Sequence, residues 1–265
     1  MGKSILVVTA TLGERTTLQE TIMSVRRIGG DNVQHVIICP DKKVEYLKIL
    51  YYGNNLMVEP QPDNIRGIYM VLNYALKKYA RDYDYVTFLN DDDYWLPGYS
   101  NIITRVLENN DDLVYGRTIY IDEDSNRICQ MTTSRYFKFF LDYWKFGIVM
   151  LTQQSVLFKS SLFFRLGGFY EGFKLVSDTK FWIDISLIPD LKYKFINKEC
   201  AAYRIMNNQL SSNKALLSKE NKEMRVLYGA IRTRSYAKLL YRLENIMIYV
   251  NRMFNGQGIK DPFNK

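Results

Sequence analysis

The sequence predicts an α/β protein built on a mostly parallel central sheet, and three observations carry that expectation. Through the first ninety residues, short apolar runs alternate with segments whose apolar residues recur at helical spacing. Polar and acidic groups gather just after the apolar runs, where open α/β sheets present their ligands. Finally, 47% of the 265 residues are apolar, enough to fill the core of one large domain.

Each element can be placed in turn. Ser4-Ile-Leu-Val-Val-Thr9 reads as a buried strand, and Thr17-Leu-Gln-Glu20 has the capping-box pattern that opens an amphipathic helix through about Arg27. Residues 33–38 form a second strand, residues 44–51 a helix, and residues 56–58 a short strand. A Pro- and Asp-rich loop over residues 59–66 follows. Ile68, Val71, Leu72, Ala75, Leu76 and Tyr79 share a helical face, and Tyr85-Val-Thr-Phe-Leu89 is another strand. Right-handed crossovers between such strands would bring residues 9–15, 39–41 and 90–93 into one crevice. Residues 113–128 read as a hairpin turning at residues 122–126. Residues 136–146 are rich in aromatics, residues 154–158 suit a strand, and a helix over residues 178–188 carries Asp178 in its first turn. A polar segment then leads into a basic helical extension over residues 213–265.

Composition narrows the chemistry. Cys39, Cys129 and Cys200 are far apart and without a neighbouring His, so neither a disulfide framework nor a zinc site is expected. His35 is the sole histidine and sits in an apolar run, which makes it structural and deprives Ser/His/Asp, Cys/His and multi-His metal chemistries of their parts. No apolar run reaches the roughly 20 residues of a membrane span, so the chain is expected to be cytoplasmic. Net charge is +8, and residues 213–265 hold +7 of it, eleven Lys and Arg against four Asp and Glu. There Arg232, Arg234, Lys238 and Arg242 interleave with Leu239, Leu240, Tyr241 and Ile246. This suits either a helix lying on the cytoplasmic face of a membrane or a packed helix with a solvated basic side.

The acidic run Asp91, Asp92 and Asp93 is the most informative feature. Three adjacent carboxylates repel, and in a partly buried crevice one of them tends to hold a proton unless a cation intervenes. Oxygen-only ligands favour Mg or Mn, which take one or two protein carboxylates and complete their shell with water and phosphate oxygens. The bland alternative is an Asx turn or an acid-rich helix start before Pro97.

Four segments in order resemble the family-two glycosyltransferases of the GT-A fold. Phe88-Leu-Asn-Asp-Asp-Asp-Tyr-Trp-Leu-Pro97 is similar to that family's strand and DxD metal motif. Arg66-Gly-Ile-Tyr69 with Asn73 resembles its upstream arginine and asparagine segment, and Val8-Thr9-Ala-Thr11 the opening of its nucleotide pocket. Gln154-Ser-Val-Leu-Phe158, Gly167-Gly-Phe169, Glu171, Ser177-Asp178 and Phe181-Trp182 resemble its acceptor and base region. The likeness covers residues 4–211. It implies a catalytic domain over residues 1–212, with nucleotide-sugar binding in residues 1–97 and the acceptor and catalytic part in residues 98–212.

The resemblance also implies roles. Asp91 would face the nucleotide and share the metal, Asp92 would lie near the donor sugar, and Asp93 would be the principal Mn or Mg ligand. Thr9, Thr11, Asn73 and Asp41 would line the donor pocket, although Cys39-Pro-Asp-Lys-Lys43 departs from the family's usual turn there. Arg66 would meet the diphosphate with a planar guanidinium. Asp178 would be the general base of an inverting transfer from a nucleotide sugar, a UDP sugar first, to a hydroxyl of a glycan or lipid-linked acceptor. Many members carry a histidine at the position of Met206. A thioether ligates Mg or Mn poorly, so Asn207, Asn208, a water or no group takes that place. Trp95, directly after the acids, is expected to stack on a sugar ring. Two other classes stay in play. One is a basic nucleic-acid- or membrane-surface-binding module with a structural acidic turn; the other is a sugar-phosphate nucleotidyltransferase, for which residues 9–15 offer a single Gly and a single Arg.

Overall fold

The computed structural model describes residues 4–206, 209 and 213–255. Its first half follows the expected alternation. Strands β1 (Ile5–Ala10), β2 (Val33–Cys39), β3 (Leu56–Pro60) and β4 (Tyr85–Phe88) lie in the order β3-β2-β1-β4, all parallel. Helices α1 (Leu18–Gly29), α2 (Asp41–Leu50) and α3 (Ile68–Tyr79) make the crossovers. β1 shows why the sheet is parallel here: Ile5, Leu6, Val7 and Val8 are all fully buried, as a strand covered on both faces requires. Leu6 and Val8 join the core that holds Leu72 and Leu76 of α3. Ile5 and Val7 join the opposite one with Val25 of α1.

The second half extends the same sheet. It adds β5 (Tyr94–Trp95), α4 (Tyr99–Glu108), β6 (Leu113–Ile121), β7 (Arg127–Gln130), α5 (Phe140–Lys145), β8 (Val156–Lys159), α6 (Ser160–Arg165), α7 (Ser177–Ser186) and β9 (Tyr193–Arg204). The order continues β4-β8-β6-β9-β5, with β7 paired to β6. β8 is antiparallel to β4 and β6, β9 is parallel to β6, and β5 is antiparallel to β9, so six of the nine described strands run one way. The mostly parallel sheet is as expected, and it runs unbroken across the anticipated division at residues 97 and 98.

The hairpin turn at residues 122–126 forms as read. Asp122 Oδ1 accepts from the amides of Asp124 and Asn126, at 3.0 and 2.8 Å, in an Asx arrangement. β9 had no forewarning: its buried and exposed positions do not alternate cleanly, and it is held by pairing with β6, some eighty residues away in the chain. All three cysteines are buried and none forms a disulfide.

The basic extension is helical, as α8 (Lys214–Tyr228), α9 (Ser235–Glu244) and α10 (Ile246–Phe254). It is also part of the core. Met224, Tyr228, Ala237 and Tyr241 are buried in the same cluster as Leu6 and Phe158, and Arg234 pairs with Asp142 of α5. Among the described residues no helix is long and apolar enough to cross a membrane.

α4 and β9 meet at Gly98, where a β-carbon would stand 2.2 Å from the backbone oxygen of Glu199. Backbone cannot swing aside as a side-chain tip can. Gly98→Ala therefore destabilises by about 1–3 kcal/mol, read as a lower urea midpoint at unchanged slope.

Candidate active site

Parallel register delivers the strand exits to a single edge. Val8 pairs with Phe88, Ala10 with Ile38 and Cys39 with Pro60. Thr11, Asp41 and Asn90-Asp91 consequently emerge side by side, as the rule for open α/β sheets requires. The amide of Thr11 still bonds the Ile38 carbonyl at 2.9 Å, so this residue is held as rigidly as the strand before it.

Asp91 and Asp92 face the β1–α1 loop. Thr11 Oγ1 donates to Asp91 Oδ2 at 2.6 Å, and Thr17 Oγ1 to the Asp91 carbonyl at 2.8 Å. Arg15 Nε lies 3.6 Å from Asp91 Oδ1, while its Nη1 donates to Asp92 Oδ2. Burial raises the Asp91 carboxyl, opposed by the Thr11 hydrogen bond and Arg15 and reinforced by Asp92. For Arg15 burial works against the charge, but Asp92 and Asp91 outweigh it and the net shift is upward. One guanidinium thus bridges two carboxylates, the arrangement expected where a carboxylate pair needs positive charge.

Asp93 is built differently. It is 1% exposed, and three donors occupy its carboxylate: the Arg204 amide at 2.9 Å on Oδ1, and Asn90 Nδ2 at 3.2 Å with Gln154 Nε2 at 2.5 Å on Oδ2. Burial, then the charge of Asp92, hold its pKa well above the ordinary carboxylate value. The Arg204 side chain, also 1% exposed, laces the surroundings together. Nε donates to the Asp92 carbonyl, Nη1 to the Asp122 and Glu123 carbonyls and to Ser125, and Nη2 to Glu20 at 2.5 Å. Acidic loop, helix α1 and hairpin turn are thereby locked in one arrangement.

Asp178 opens α7, and the rings of Phe88, Phe169 and Tyr69 connect the exit of β4 to it, with centroids 5.3 and 5.7 Å apart. Tyr69 Oη donates to Asp178 Oδ1 at 3.0 Å, and the Thr179 amide to the same oxygen at 2.7 Å. Oδ2 has no partner among the described residues. Burial raises the pKa of Asp178, partly countered by Thr179 and Tyr69.

The other expected residues fall in varied places. Thr9 is fully buried and spends its hydroxyl on the Leu89 carbonyl and His35 Nε2 inside the sheet. Burial pushes His35 down to about 3, so it is neutral and structural. Asn73 is 2% exposed and clamps a loop, donating to Phe169 O and Glu171 and accepting from the Phe169 amide. Gly168 makes that contact possible, since a β-carbon there would meet Asn73 Oδ1 at 2.7 Å and φ is +88°. Asp41 and Arg66 are exposed, at the exit of β2 and just before α3. Asn207 and Asn208 lie outside the described residues; the neighbouring Gln209 bonds the Arg204 carbonyl at 2.5 Å and comes within 3.5 Å of Asp92 Oδ2. The expectation for Trp95 is overturned: it is fully buried and stacks on Tyr99 with centroids 3.8 Å apart, leaving no face for a sugar.

Sequence reasoning missed Arg15, Glu20, Tyr69, Arg204 and Gln209 as participants. Only Arg15 gave a signal, as the cation nearest the first strand exit.

A family model, glycosyl transferase family 2, matches residues 6–166, more than half of the chain. The chain belongs to glycosyl transferase family 2. Among solved structures, S. aureus TarS 1–349 in complex with UDP-GlcNAc is similar at 14% identity and TM-score 0.65, covering 96% of this chain and 73% of that one. A further S. aureus TarS structure is matched at TM-score 0.60 over 44% of its chain, again at 14% identity and over 96% of this chain. The mannosyltransferase PcManGT from Pyrobaculum calidifontis, in complex with GDP-Man and Mn2+, is similar at 12% identity and TM-score 0.60, covering 100% of this chain and 78% of that one. The family-two chain therefore has the GT-A fold that the resemblance implied and is a glycosyltransferase. No curated protein matches it by sequence.

Asp93 supports a pH prediction. A carboxyl whose folded pKa is raised contributes stability that is complete below its unfolded pKa and lost as pH rises through the folded one. Asp93→Asn removes this loss, so the melting temperature of the variant relative to the parent rises as pH is raised above the ordinary carboxylate range. A pH-independent difference would contradict the placement of Asp93.

Proposed function

We propose that this glycosyltransferase moves a sugar from a nucleotide-sugar donor, with inversion, to a hydroxyl of a glycan or lipid-linked acceptor. The observation that carries the reading is the meeting of Thr11, Arg15, Asp91 and Asp92 at the adjoining exits of β1 and β4. The donors bound by the two neighbours, UDP-GlcNAc and GDP-mannose, define the first candidates, with the UDP sugar placed first. Family membership favours this reading over a nucleic-acid-binding module or a nucleotidyltransferase.

Asp91 and Asp92 fit a divalent ion. Their shared contact with one guanidinium marks a site that demands positive charge, their oxygens suit Mg or Mn, and two carboxylates leave the shell for water and diphosphate. Among the described residues no cluster of three or more acidic, His or Cys side chains offers a fuller cage. The sequence points to Asp93 as the principal ligand with Asp91 sharing the ion; the oxygens of Asp93 already serve Arg204, Asn90 and Gln154, which favours Asp92 beside Asp91 and a loop-shaping role for Asp93. When bound, the ion would stabilise charge developing on the leaving diphosphate.

The chain's own groups perform the remaining steps. Arg66, exposed ahead of α3, offers a planar donor to the diphosphate. Asp178 Oδ2 takes the proton of the acceptor hydroxyl as that oxygen attacks the anomeric carbon. The bond from that carbon to the diphosphate oxygen breaks with its electron pair leaving on the nucleoside diphosphate, which inverts the centre. A base with a raised pKa displaces the rising limb of the rate to higher pH than an ordinary aspartate would.

Donor binding by calorimetry, with UDP-GlcNAc and GDP-mannose in the presence of Mn2+, and release of nucleoside diphosphate test this. Asp178→Asn is expected to lower kcat by about 10²- to 10⁴-fold at unchanged donor Kd. Asp92→Asn abolishes Mn2+-dependent donor binding, and Asp93→Asn keeps it. Full activity in both Asp178→Asn and Asp92→Asn would sink the assignment.

The extension adds a peripheral membrane contact to the proposal. Tyr236, Leu239, Leu243, Ile246 and Met247 are all more than half exposed and recur at helical spacing along α9 and α10, with Arg232 and Arg242 exposed beside them. Apolar side chains flanked by arginine suit an anionic bilayer surface. Cosedimentation should be strong with phosphatidylglycerol vesicles and weak with phosphatidylcholine, and should drop in Leu239→Ser/Leu243→Ser. Equal recovery of parent and variant would count against this contact.

A further inference from the structure

Glu220 is a buried carboxylate that the proposed chemistry leaves unused. It lies on α8 at 3% exposure, and among the described residues no cationic side chain pairs with it. Its partners are three successive backbone amides: Lys174 N to Oε1 at 2.7 Å, and Leu175 N and Val176 N to Oε2 at 2.9 and 3.2 Å. A charge held away from water by neutral donors alone is costly, and each N–H it takes is a strong, charge-assisted bond. Those three amides belong to the segment entering α7, whose second residue is Asp178. The same segment meets α3, because Tyr69 Oη lies 3.2 Å from the Leu175 carbonyl and 3.0 Å from Asp178 Oδ1.

We propose that Glu220 is a positioning residue for Asp178: by gripping the amides of residues 174–176 it sets the entry to α7 at the height where Tyr69 reaches Asp178 Oδ1, leaving Oδ2 for the acceptor hydroxyl. This rests on the reading of Asp178 as the base. The extension thereby completes the catalytic half from outside the region matched by the family model, which ends at residue 166. The groups around Asp178 are few. Tyr69 approaches from α3 and Glu220 from α8, while Lys180 on the helix of Asp178 itself is committed to Asp184 at 2.7 Å.

Glu220→Gln keeps the size of the side chain but turns an acceptor oxygen into an NH2 group that faces N–H donors. The grip loosens, and with it the Tyr69 bond that favours the ionised form of Asp178. Two measurements on the full chain test the link. The first is the titration midpoint of Asp178, followed by the 13C shift of its side-chain carboxyl, which needs no substrate. The second is kcat for nucleoside diphosphate release from UDP-GlcNAc with Mn2+, normalised to the number of donor-binding sites counted by calorimetry so that misfolded protein drops out.

Glu220→Gln and Tyr69→Phe are each expected to raise the Asp178 midpoint and to lower normalised kcat about tenfold at a donor Kd within twofold of the parent. The double variant should be no worse than the poorer single one, since both act through one contact. A parental midpoint and kcat in Glu220→Gln, with Asp178→Asn inactive, overturns the role of Glu220 and leaves the base reading standing. An Asp178→Asn variant with parental kcat overturns the base reading itself, and the positioning role with it. Multiplicative losses in the double variant, with no change in midpoint, would show Glu220 to be a general packing residue and would likewise overturn the proposal.

Discussion

The site depends on one interaction, the burial of Asp93 under three donors. A carboxylate inside a protein is tolerated only where hydrogen bonds replace its water, and here the donors come from the end of β9, from the turn before β8 and from the acidic loop itself. Asp93 fixes the loop from beneath and Arg204 fixes it from the side, so Asp91 and Asp92 can face the crevice without free movement. The like charges that make the triplet unfavourable are distributed by depth: the innermost carboxyl is shifted toward its neutral form, and the outer two share Arg15. The chain's own donors and one guanidinium thus offset the repulsion within the triplet.

Much of this was legible in the sequence, to an extent set by how local the signal was. β1 to β4 were readable because strands covered on both faces are continuous apolar runs, and the strand exits then located Thr11, Asp41 and Asp91 without further information. Thr17 and Glu20 marked the start of α1 correctly for a reason that did not hold. The Thr17 hydroxyl bonds the Asp91 carbonyl and Glu20 bonds Arg204, so neither closes a capping box. Their pattern was a helix signal locally and a tertiary contact in space.

What stayed hidden was long-range. No spacing rule distinguishes Asp93, whose carboxylate meets Arg204 and Gln154, from Asp91 and Asp92, which share Arg15, because those partners come from the end of β9, the turn before β8 and the β1–α1 loop. Trp95 was misread similarly: proximity to the acids suggested a sugar platform, while its pairing strand β9, unseen in the sequence, carries it into the core. Arg204 is the extreme case, a cation whose guanidinium bonds partners between 79 and 184 residues away.

The position of Glu220 bears on how small this enzyme can be made. Among the described residues the last strand of the central sheet ends at Arg204, and a chain cut at the polar segment that follows would keep the nine described strands, the acidic loop and Asp178. Such a fragment would nonetheless lack the carboxylate that receives the amides of residues 174–176, and would open to water the pocket that Met224 and Tyr228 fill. Contacts of the extension with the sheet domain cross the boundary suggested by composition. Trimming, domain exchange or fusion at residue 212 would leave the turn before α7 without the carboxylate that anchors it.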